Sequence, residues 1–197
     1  FKRNYLYGET MTHILGYVGR INDRDVERLK KEEKFANYSG STDMGKLGIE
    51  RYYEEQLHGT TGFEEVEINN RGKVIRKLRE QPATAGKSIH LTIDFTLQRF
   101  IMSLLSGQKG AVVVLDPKDN SVLAMVSTPS YDNNLFVDGI SSSDYKRLLE
   151  DPTRPLYSRA TQGVYPPAST VKPFVAVAAL TEGVITPNTT IFDPGYW

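Results

Sequence analysis

Residues 165–180 read YPPASTVKPFVAVAAL, a proline-stiffened approach followed by a nearly apolar run. The run over 171–180 predicts a helix that is apolar almost all round, and such a helix belongs in the middle of a domain. The ring of Pro173 would clash with the carbonyl of Ser169, four residues back, if an α-helix had already formed there. We therefore expect the helix to begin at about Ser169 or Thr170, which holds the serine at its N-terminus.

Ser169 and Lys172 stand three residues apart, which places a hydroxyl and an amine one turn apart on one helix face. A neutral lysine there can take the serine proton as the oxygen attacks a carbonyl, and backbone N–H groups at a helix start can hold the oxyanion. The structural alternative is a serine that caps the helix, followed by a lysine whose aliphatic stem lies along an apolar surface. The residues alone leave these two interpretations evenly balanced.

A serine three residues before a lysine occurs at two other places, so the spacing alone is not diagnostic. The first, SGQK at 106–109, contains a glycine and lies in a predicted loop, where no helix face holds the two groups together. The second, SDYK at 143–146, falls on a short polar helix of surface type, and its serine is expected to be the N-cap. Context therefore favours STVK at 169–172.

Residues 87–197 are typical of a domain with a buried sheet. Asp94 can cap a helix whose apolar residues recur at i, i+3, i+4, i+7 and i+8. Residues 111–115 are five consecutive apolar residues, which predicts a strand buried on both faces, and 122–126 returns beside it. Such a sheet needs helices that cover it, which indicates an α/β type of domain. Residues 90–93 predict one more short strand.

Residues 1–86 are more charged and predict a different architecture. Asn22 offers an N-cap for a short polar helix that reaches Lys34. Residues 46–57 carry apolar side chains at helical spacing and predict a second helix, which the following glycine ends. The sequence QPATAG at 81–86 is the best candidate for a linker between the two sections.

Residues 66–78 alternate like two strands around an Asn-Arg-Gly turn, which predicts a hairpin with a polar outer face. Five basic residues fall between positions 71 and 79. A solvated strand face, balanced by nearby glutamates, explains them better than a surface for an anionic partner.

Composition excludes several classes of function. Lys plus Arg and Asp plus Glu each number 24 among 197 residues, and this balance argues against a dedicated nucleic-acid binder. The absence of Cys excludes disulfides, zinc thiolate sites and thiol nucleophiles. His13, His58 and His90 lack metal-ligand spacing, so we expect no metal and no cofactor. No stretch has the roughly 20 apolar residues that span a bilayer, and both ends are expected to be cuts inside a longer protein.

The stretch around Ser169 resembles the nucleophile motif of penicillin-binding transpeptidases, and the likeness covers nearly the whole chain. It is similar to class B penicillin-binding proteins, and among them to the elongation-specific transpeptidases of Gram-negative rods. The segments that carry the likeness are GYVG at 16–19, LGIE at 47–50, LTID at 91–94, VLDP at 114–117, AMVSTPSYD at 124–132 and YPPASTVKPF at 165–174. Three positions depart from the family: Ala168 and Asn120 stand where Gly is frequent, and Asn133 where Pro is common.

The resemblance implies an α+β fold in two parts. Residues 1–86 would be an elongated, non-catalytic pedestal of the dimerisation type. Residues 87–197 would be the N-terminal part of a serine β-lactamase-like transpeptidase domain, a sheet flanked by helices. Ser169 would be the acylated nucleophile and Lys172 the base that activates it. The reaction would release the terminal D-Ala of a peptidoglycan stem peptide and transfer the acyl group to an amine on a neighbouring strand, and β-lactams would acylate the same serine.

The resemblance also implies partners and a location. The partners would be a membrane-embedded glycan polymerase of the SEDS family and rod-shape scaffold proteins, contacted mainly through residues 1–86, with no nucleic acid. The expected location is the periplasmic face of the bacterial inner membrane, with a single-pass anchor ahead of residue 1.

Two motifs that the family needs, Ser-x-Asn and Lys-Thr/Ser-Gly, are not found in the 197 residues. In the family they lie downstream of the nucleophile, so we expect this segment on its own to be nearly inactive. Two other interpretations stay open. One is a β-lactamase or β-lactam sensor that shares Ser-x-x-Lys, and the other is an interaction module of the pedestal type with a vestigial catalytic part.

Overall fold

The computed structural model describes residues 3–195, and the chain divides after Gln162 into two compact units. The first unit begins with short helices and a two-stranded antiparallel sheet, β1 with β2. Its elements in chain order are α1 (Gly8–Leu15), β1 (Val18–Arg20), α2 (Asp23–Lys31), a 3₁₀ turn (Phe35–Tyr38), β2 (Asp43–Gly45), α3 (Gly48–Tyr52) and α4 (Glu54–His58).

Helix α2 begins at the predicted cap. The Asn22 side chain accepts a hydrogen bond from the N–H of Asp25 (3.0 Å), and the Asp25 carboxylate accepts one from the N–H of Asn22 (3.0 Å). This reciprocal capping box satisfies two of the free donors at the helix start. The helix ends at Lys31, before the predicted Lys34. Its Leu29 is buried in a small apolar cluster with Tyr38 and Met44.

The single helix predicted over 46–57 is instead two segments, α3 and α4, that meet at Tyr53. Beside this break the carboxylate of Glu54 accepts a hydrogen bond from the N–H of Gly45 (2.8 Å), which ties the start of α4 to β2. Gly59 ends α4 as predicted, with a left-handed φ of 75°.

The predicted hairpin is present as β3 (Phe63–Ile68) and β4 (Val74–Gln81), paired antiparallel. Every residue of β4 is exposed. The Asn69 side chain accepts hydrogen bonds from the N–H groups of Arg71 (2.9 Å) and Lys73 (3.0 Å), which fixes the turn.

The predicted linker at 81–86 is not a free connection. Thr84 pairs with Thr60 through two backbone hydrogen bonds of 2.9 Å. A Cβ on Gly86 would lie 1.8 Å from the carbonyl oxygen of Leu57, so the chain there packs directly on the end of α4. Composition rich in Gly, Pro and Ala marked a close backbone approach here rather than a flexible joint.

A second antiparallel pair follows, β5 (Gly110–Leu115) with β6 (Val122–Thr128), and α5 (Phe95–Leu104) packs on it. The carboxylate of Asp94 caps α5 as predicted, accepting from the N–H of Leu97 (3.0 Å). Ile101 of α5 is buried against β6.

Two predictions for this region are wrong. Strand β5 alternates between exposed and part-buried residues instead of being buried on both faces, because within the described chain only one face of the two-stranded sheet is covered. Residues 90–93 form no strand. They lie along β6 and bond it irregularly, through the hydroxyl of Thr92 to Val122 O (2.7 Å) and the N–H of Asp94 to Leu123 O (2.8 Å).

Helix α1 packs against the later part of the first unit through buried polar contacts. The amide of Gln98 donates to Thr10 O (3.0 Å), and the hydroxyl of Thr12 donates to Tyr131 O (2.7 Å). The amide of Asn133 donates to Gly16 O (2.7 Å). Residues far apart in sequence are thereby joined. The same unit ends with a 3₁₀ turn (Asn133–Phe136), α6 (Ser142–Glu150) and α7 (Arg159–Gln162).

The second unit, described over residues 163–195, consists of a 3₁₀ turn (Ala168–Val171) that continues into α8 (Lys172–Thr181), with turns and irregular chain around them. No residue of α8 is buried, which contradicts the expectation of a helix in the middle of a domain. Between residues 3 and 195 the structure contains no helix of the length and apolarity that a membrane crossing requires.

Candidate active site

The candidate nucleophile lies in a tight turn that leads into α8. The N–H of Thr170 donates to Pro167 O (3.1 Å), and the N–H of Lys172 donates to Ser169 O. Regular α-helix begins only at Lys172, two to three residues later than predicted. Pro173 explains the delay, because the Ser169 carbonyl cannot sit in the α-helical position four residues before a proline ring. In the 3₁₀ turn that carbonyl bonds one residue earlier, and Pro173 occupies the first turn of α8, where its missing N–H costs nothing.

Ser169 lies in the 3₁₀ turn, and Lys172, three residues on, is the first residue of α8. Residues at this spacing lie on the same side of a helical turn, and the bond from Lys172 N–H to Ser169 O joins the two residues through the backbone. Both residues are exposed, and neither side chain has a hydrogen bond or an ion pair with any residue of 3–195. The expected burial of the pair in an apolar core is not found.

The residue before the nucleophile carries backbone strain. Ala168 adopts φ 47°, in the left-handed region that costs a residue with a Cβ about 1 kcal/mol relative to Gly. This conformation gives a physical reason for the Gly that is frequent at that position in the family. The signal was present in the sequence as a departure from the family pattern, but the sequence alone did not reveal the φ angle.

The two other departures also have structural explanations. Asn120 adopts φ 61° in the turn between β5 and β6, where Asn tolerates a conformation that favours Gly. Asn133 is fully buried and reaches across to Gly16 O, a contact that a proline could not make.

The two rival Ser-x-x-Lys pairs are placed in the first unit. Ser106 follows α5 in a turn with Gly107 at φ 74°, and Lys109 donates to Pro152 O (3.4 Å). The other pair lies on the surface helix α6. The N-cap of α6 is Ser141 and not the predicted Ser143, because the Ser141 hydroxyl accepts from the N–H of Asp144 (3.0 Å). The first pair lies in a turn after a helix, and the second lies in the first turn of a helix whose N-cap is another serine.

One serine–histidine contact was not anticipated. The hydroxyl of Ser41 lies 2.7 Å from Nε2 of His58, and Nδ1 of that ring lies 3.2 Å from Gly59 O. The ring also stacks on Tyr38, with 4.2 Å between centroids. The contact ties the loop before β2 to the end of α4.

Two protein-family models match the chain. Residues 1–91 match the model described as the penicillin-binding protein dimerisation domain, and residues 110–197 match the penicillin-binding protein transpeptidase domain. Among curated proteins, the chain is 83% identical over 197 residues to the peptidoglycan D,D-transpeptidase MrdA of Haemophilus influenzae, with all of this chain and 30% of that protein covered. It is 65% identical over 196 residues to MrdA of Escherichia coli K12, with 100% of this chain and 31% of that protein covered.

Solved structures give the same result. The structure of Pseudomonas aeruginosa PBP2 in complex with WCK 5153 matches with a TM-score of 0.85 at 46% identity, covering 100% of this chain and 39% of that one. The complex of PBP2 with MreC from Helicobacter pylori matches with a TM-score of 0.83 at 32% identity, covering 96% of this chain and 34% of that one. The chain thus spans about a third of the length of the relatives it matches.

Proposed function

Because the chain belongs to the penicillin-binding proteins, with a dimerisation domain followed by a transpeptidase domain, we propose that it acts in peptidoglycan synthesis as a serine D,D-transpeptidase of cell elongation. The observation that carries the proposal is Ser169 in the 3₁₀ turn that leads into α8 and Lys172 as the first residue of that helix, inside the region that matches the transpeptidase domain. We place the pedestal at residues 1–86 and the first part of the catalytic domain at 87–197.

In the proposed reaction the Ser169 hydroxyl attacks the carbonyl between the two terminal D-Ala residues of a stem peptide. Lys172, in its neutral form, takes the hydroxyl proton, and a proton is delivered to the departing D-Ala amine. An amine of a second stem peptide then attacks the acyl-serine ester, which forms the cross-link and frees the serine. A β-lactam stops the cycle by opening on Ser169 and forming a stable ester.

The exposure of α8 is what we expect of a helix that other parts of a domain cover. Phe174 is 76% exposed and Val177 is 63% exposed, and a helix with apolar side chains all round is stable only when another surface covers it. Covering the helix would also enclose Ser169 and Lys172, which are both exposed here. We therefore assign activity to the longer protein that also supplies Ser-x-Asn and Lys-Thr/Ser-Gly.

We extend the proposal to partners and location. A solved relative of this chain is bound to MreC, which supports a rod-shape scaffold protein as a partner here. We also propose a SEDS-family glycan polymerase as a partner and the periplasmic face of the inner membrane as the site of action. These assignments rest on family membership and not on a contact within residues 3–195.

The experiment is intact-mass spectrometry of the longer protein after incubation with a β-lactam, followed by peptide mapping. We expect one drug mass on the peptide that contains Ser169, no adduct in Ser169→Ala and strongly slowed acylation in Lys172→Ala. Ser106→Ala and Ser143→Ala, which remove the serines of the rival pairs, should acylate like the unchanged protein. An adduct on either rival serine would overturn the site.

The lifetime of the adduct separates the transpeptidase from its hydrolytic relatives. A stable ester supports the transpeptidase, whereas rapid release of the hydrolysed drug would identify a β-lactamase. A correctly folded longer protein that is never acylated would favour the interaction module with a vestigial catalytic part.

A further inference from the structure

The tip of the hairpin β3–β4 differs from its two strands in how its charged side chains are paired. Along the two strands behind the tip, charges are paired: Arg76 bonds Glu67 (2.5 Å), and Lys77 bonds Glu64 (2.6 Å) and Glu80 (2.7 Å). At the tip, Arg71 and Lys73 have no ion-pair partner within residues 3–195. No acidic residue occurs from position 69 to 79, so the tip carries an uncompensated positive charge.

Exposed apolar side chains stand directly behind these two cations. Ile68 is 58% exposed, Val74 is 53% exposed and Ile75 is 60% exposed. Ile68 and Val74 are cross-strand partners and share one face, while Ile75, the next residue along β4, points to the opposite face. A hairpin that packs on a protein surface needs one apolar face, but this tip is apolar on both.

The backbone holds this arrangement in place. The Asn69 side chain bonds the N–H groups of both Arg71 and Lys73, and the N–H of Gly72 donates to Asn69 O (2.9 Å). Gly72 has φ 74°, and a Cβ there would meet nothing within 4 Å. The two cations are therefore presented on a hydrogen-bonded and open turn.

We propose that the tip of this hairpin, residues 68–75, docks on an anionic lipid surface. Arg71 and Lys73 would pair with phosphate headgroups, and Ile68, Val74 and Ile75 would enter the boundary between headgroups and acyl chains from both faces of the ribbon. Cations beside apolar side chains are the combination that an anionic bilayer interface binds. Charge complementarity with the headgroups selects this occupant over an apolar protein groove. The proposal does not depend on the reaction assigned to Ser169.

The test is co-sedimentation of the 197-residue chain with vesicles of phosphatidylcholine, with and without phosphatidylglycerol. We expect weak binding only to the anionic vesicles, which added salt reverses. Each cation near an anionic surface contributes about fivefold in affinity, so Arg71→Glu with Lys73→Glu should lower the affinity at least ~30-fold. Ile75→Ser should weaken binding and leave its salt dependence unchanged.

A matched control separates local contact from net charge. Arg24→Glu with Lys118→Glu changes the net charge equally at two exposed cations outside the hairpin, and should retain most of the binding. Hydrogen exchange should show protection by anionic vesicles confined to residues 68–75. Equal loss in both double variants, protection elsewhere, or equal binding to neutral vesicles would overturn the proposal. Absence of binding to every vesicle would also overturn the proposal, and would favour an acidic protein surface as the partner of the tip.

Discussion

The two units of the chain are both rich in apolar side chains, but only the first buries them. In residues 3–162, Ile101 packs with Ala124 and Val126, which are nearly inaccessible to solvent. In residues 163–195, helix α8 has apolar side chains nearly all round, and none of its residues is buried. The difference teaches that apolar patterning reveals a helix that needs a cover. It does not reveal where along the chain the cover comes from.

The largest expected effect comes from the polar centre of the first unit. The Gln98 side chain donates to Met125 O (2.9 Å) and accepts from Met125 N–H (2.8 Å), so it bonds β6 as a neighbouring strand would. It also donates to Thr10 O, and it is 1% exposed. Gln98→Leu would leave the part-buried N–H and carbonyl of Met125 without these partners and would remove the bond from α5 to Thr10 O of α1. We expect a loss of about 4 kcal/mol in the free energy of unfolding, measured by urea denaturation.

The matched variant is Gln108→Leu, because Gln108 is exposed and its side chain makes no hydrogen bond within the described chain. It should change the free energy of unfolding by less than about 0.5 kcal/mol. Comparable losses in the two variants would show that the amide of Gln98 is not what joins α1, α5 and β6.

A second pair of variants compares the two units directly. Ile101→Ala removes buried methyl groups from the cluster against β6 and should cost about 3 kcal/mol in the free energy of unfolding. Val175→Ala on α8, where the valine is 60% exposed, should cost less than about 0.5 kcal/mol in the same chain. Equal costs would mean that α8 is covered in solution, and the contrast between the units would then disappear.

Local signals in the sequence predicted local structure well. Asn22 and Asp94 were identified as caps, and both side chains accept the hydrogen bond from the third helical residue that a cap requires. The turn of the hairpin and the stop at Gly59 were identified in the same way. Each of these features depends on side-chain and backbone groups only a few residues apart, so a short window of sequence contains the cause.

Features that depend on distant partners were predicted poorly. Residues 90–93 have strand composition, but they bond β6 irregularly, and at Met125, further along the same strand, the side chain of Gln98 supplies the bonds. The five apolar residues of 111–115 indicated two buried faces, and one face has no cover within residues 3–195. The pair Ser169 and Lys172 was predicted from motif and context and stays a prediction, whereas the positive φ of Ala168 required coordinates.

A third prediction tests the close packing found at the predicted linker. Gly86→Ala would force a Cβ against Leu57 O, a rigid backbone atom, and should cost about 2 kcal/mol in the free energy of unfolding. Gly40→Ala is the control, because Gly40 has open space around it and no positive φ. It should be neutral or slightly stabilising. If Gly86→Ala leaves the free energy of unfolding unchanged, residues 81–86 would be the linker that their composition predicted.

The smallest expected effect concerns a charged group at the edge of the first unit. Burial raises the pKa of Asp25, but hydrogen bonds from the Lys46 ammonium and the Asn22 N–H outweigh it and hold that pKa below its ordinary value. A carboxyl whose pKa is lower in the folded state stabilises the fold above its unfolded pKa, near 3.9. That stabilisation is lost as the pH falls through the lowered pKa.

Asp25→Asn should therefore cost about 1 kcal/mol at neutral pH, and the difference from the unchanged chain should shrink as the pH falls below about 4. Asp23→Asn, on the same first turn but exposed and without an ion pair within residues 3–195, should change stability by a few tenths of a kcal/mol at most. Urea denaturation across the acidic range measures both. Asparagine does not titrate, so any change with pH in the difference between the two proteins comes from the charge of Asp25. If Asp25→Asn lowers the free energy of unfolding equally in acid and at neutral pH, Asp25 acts through packing and capping and not through its charge.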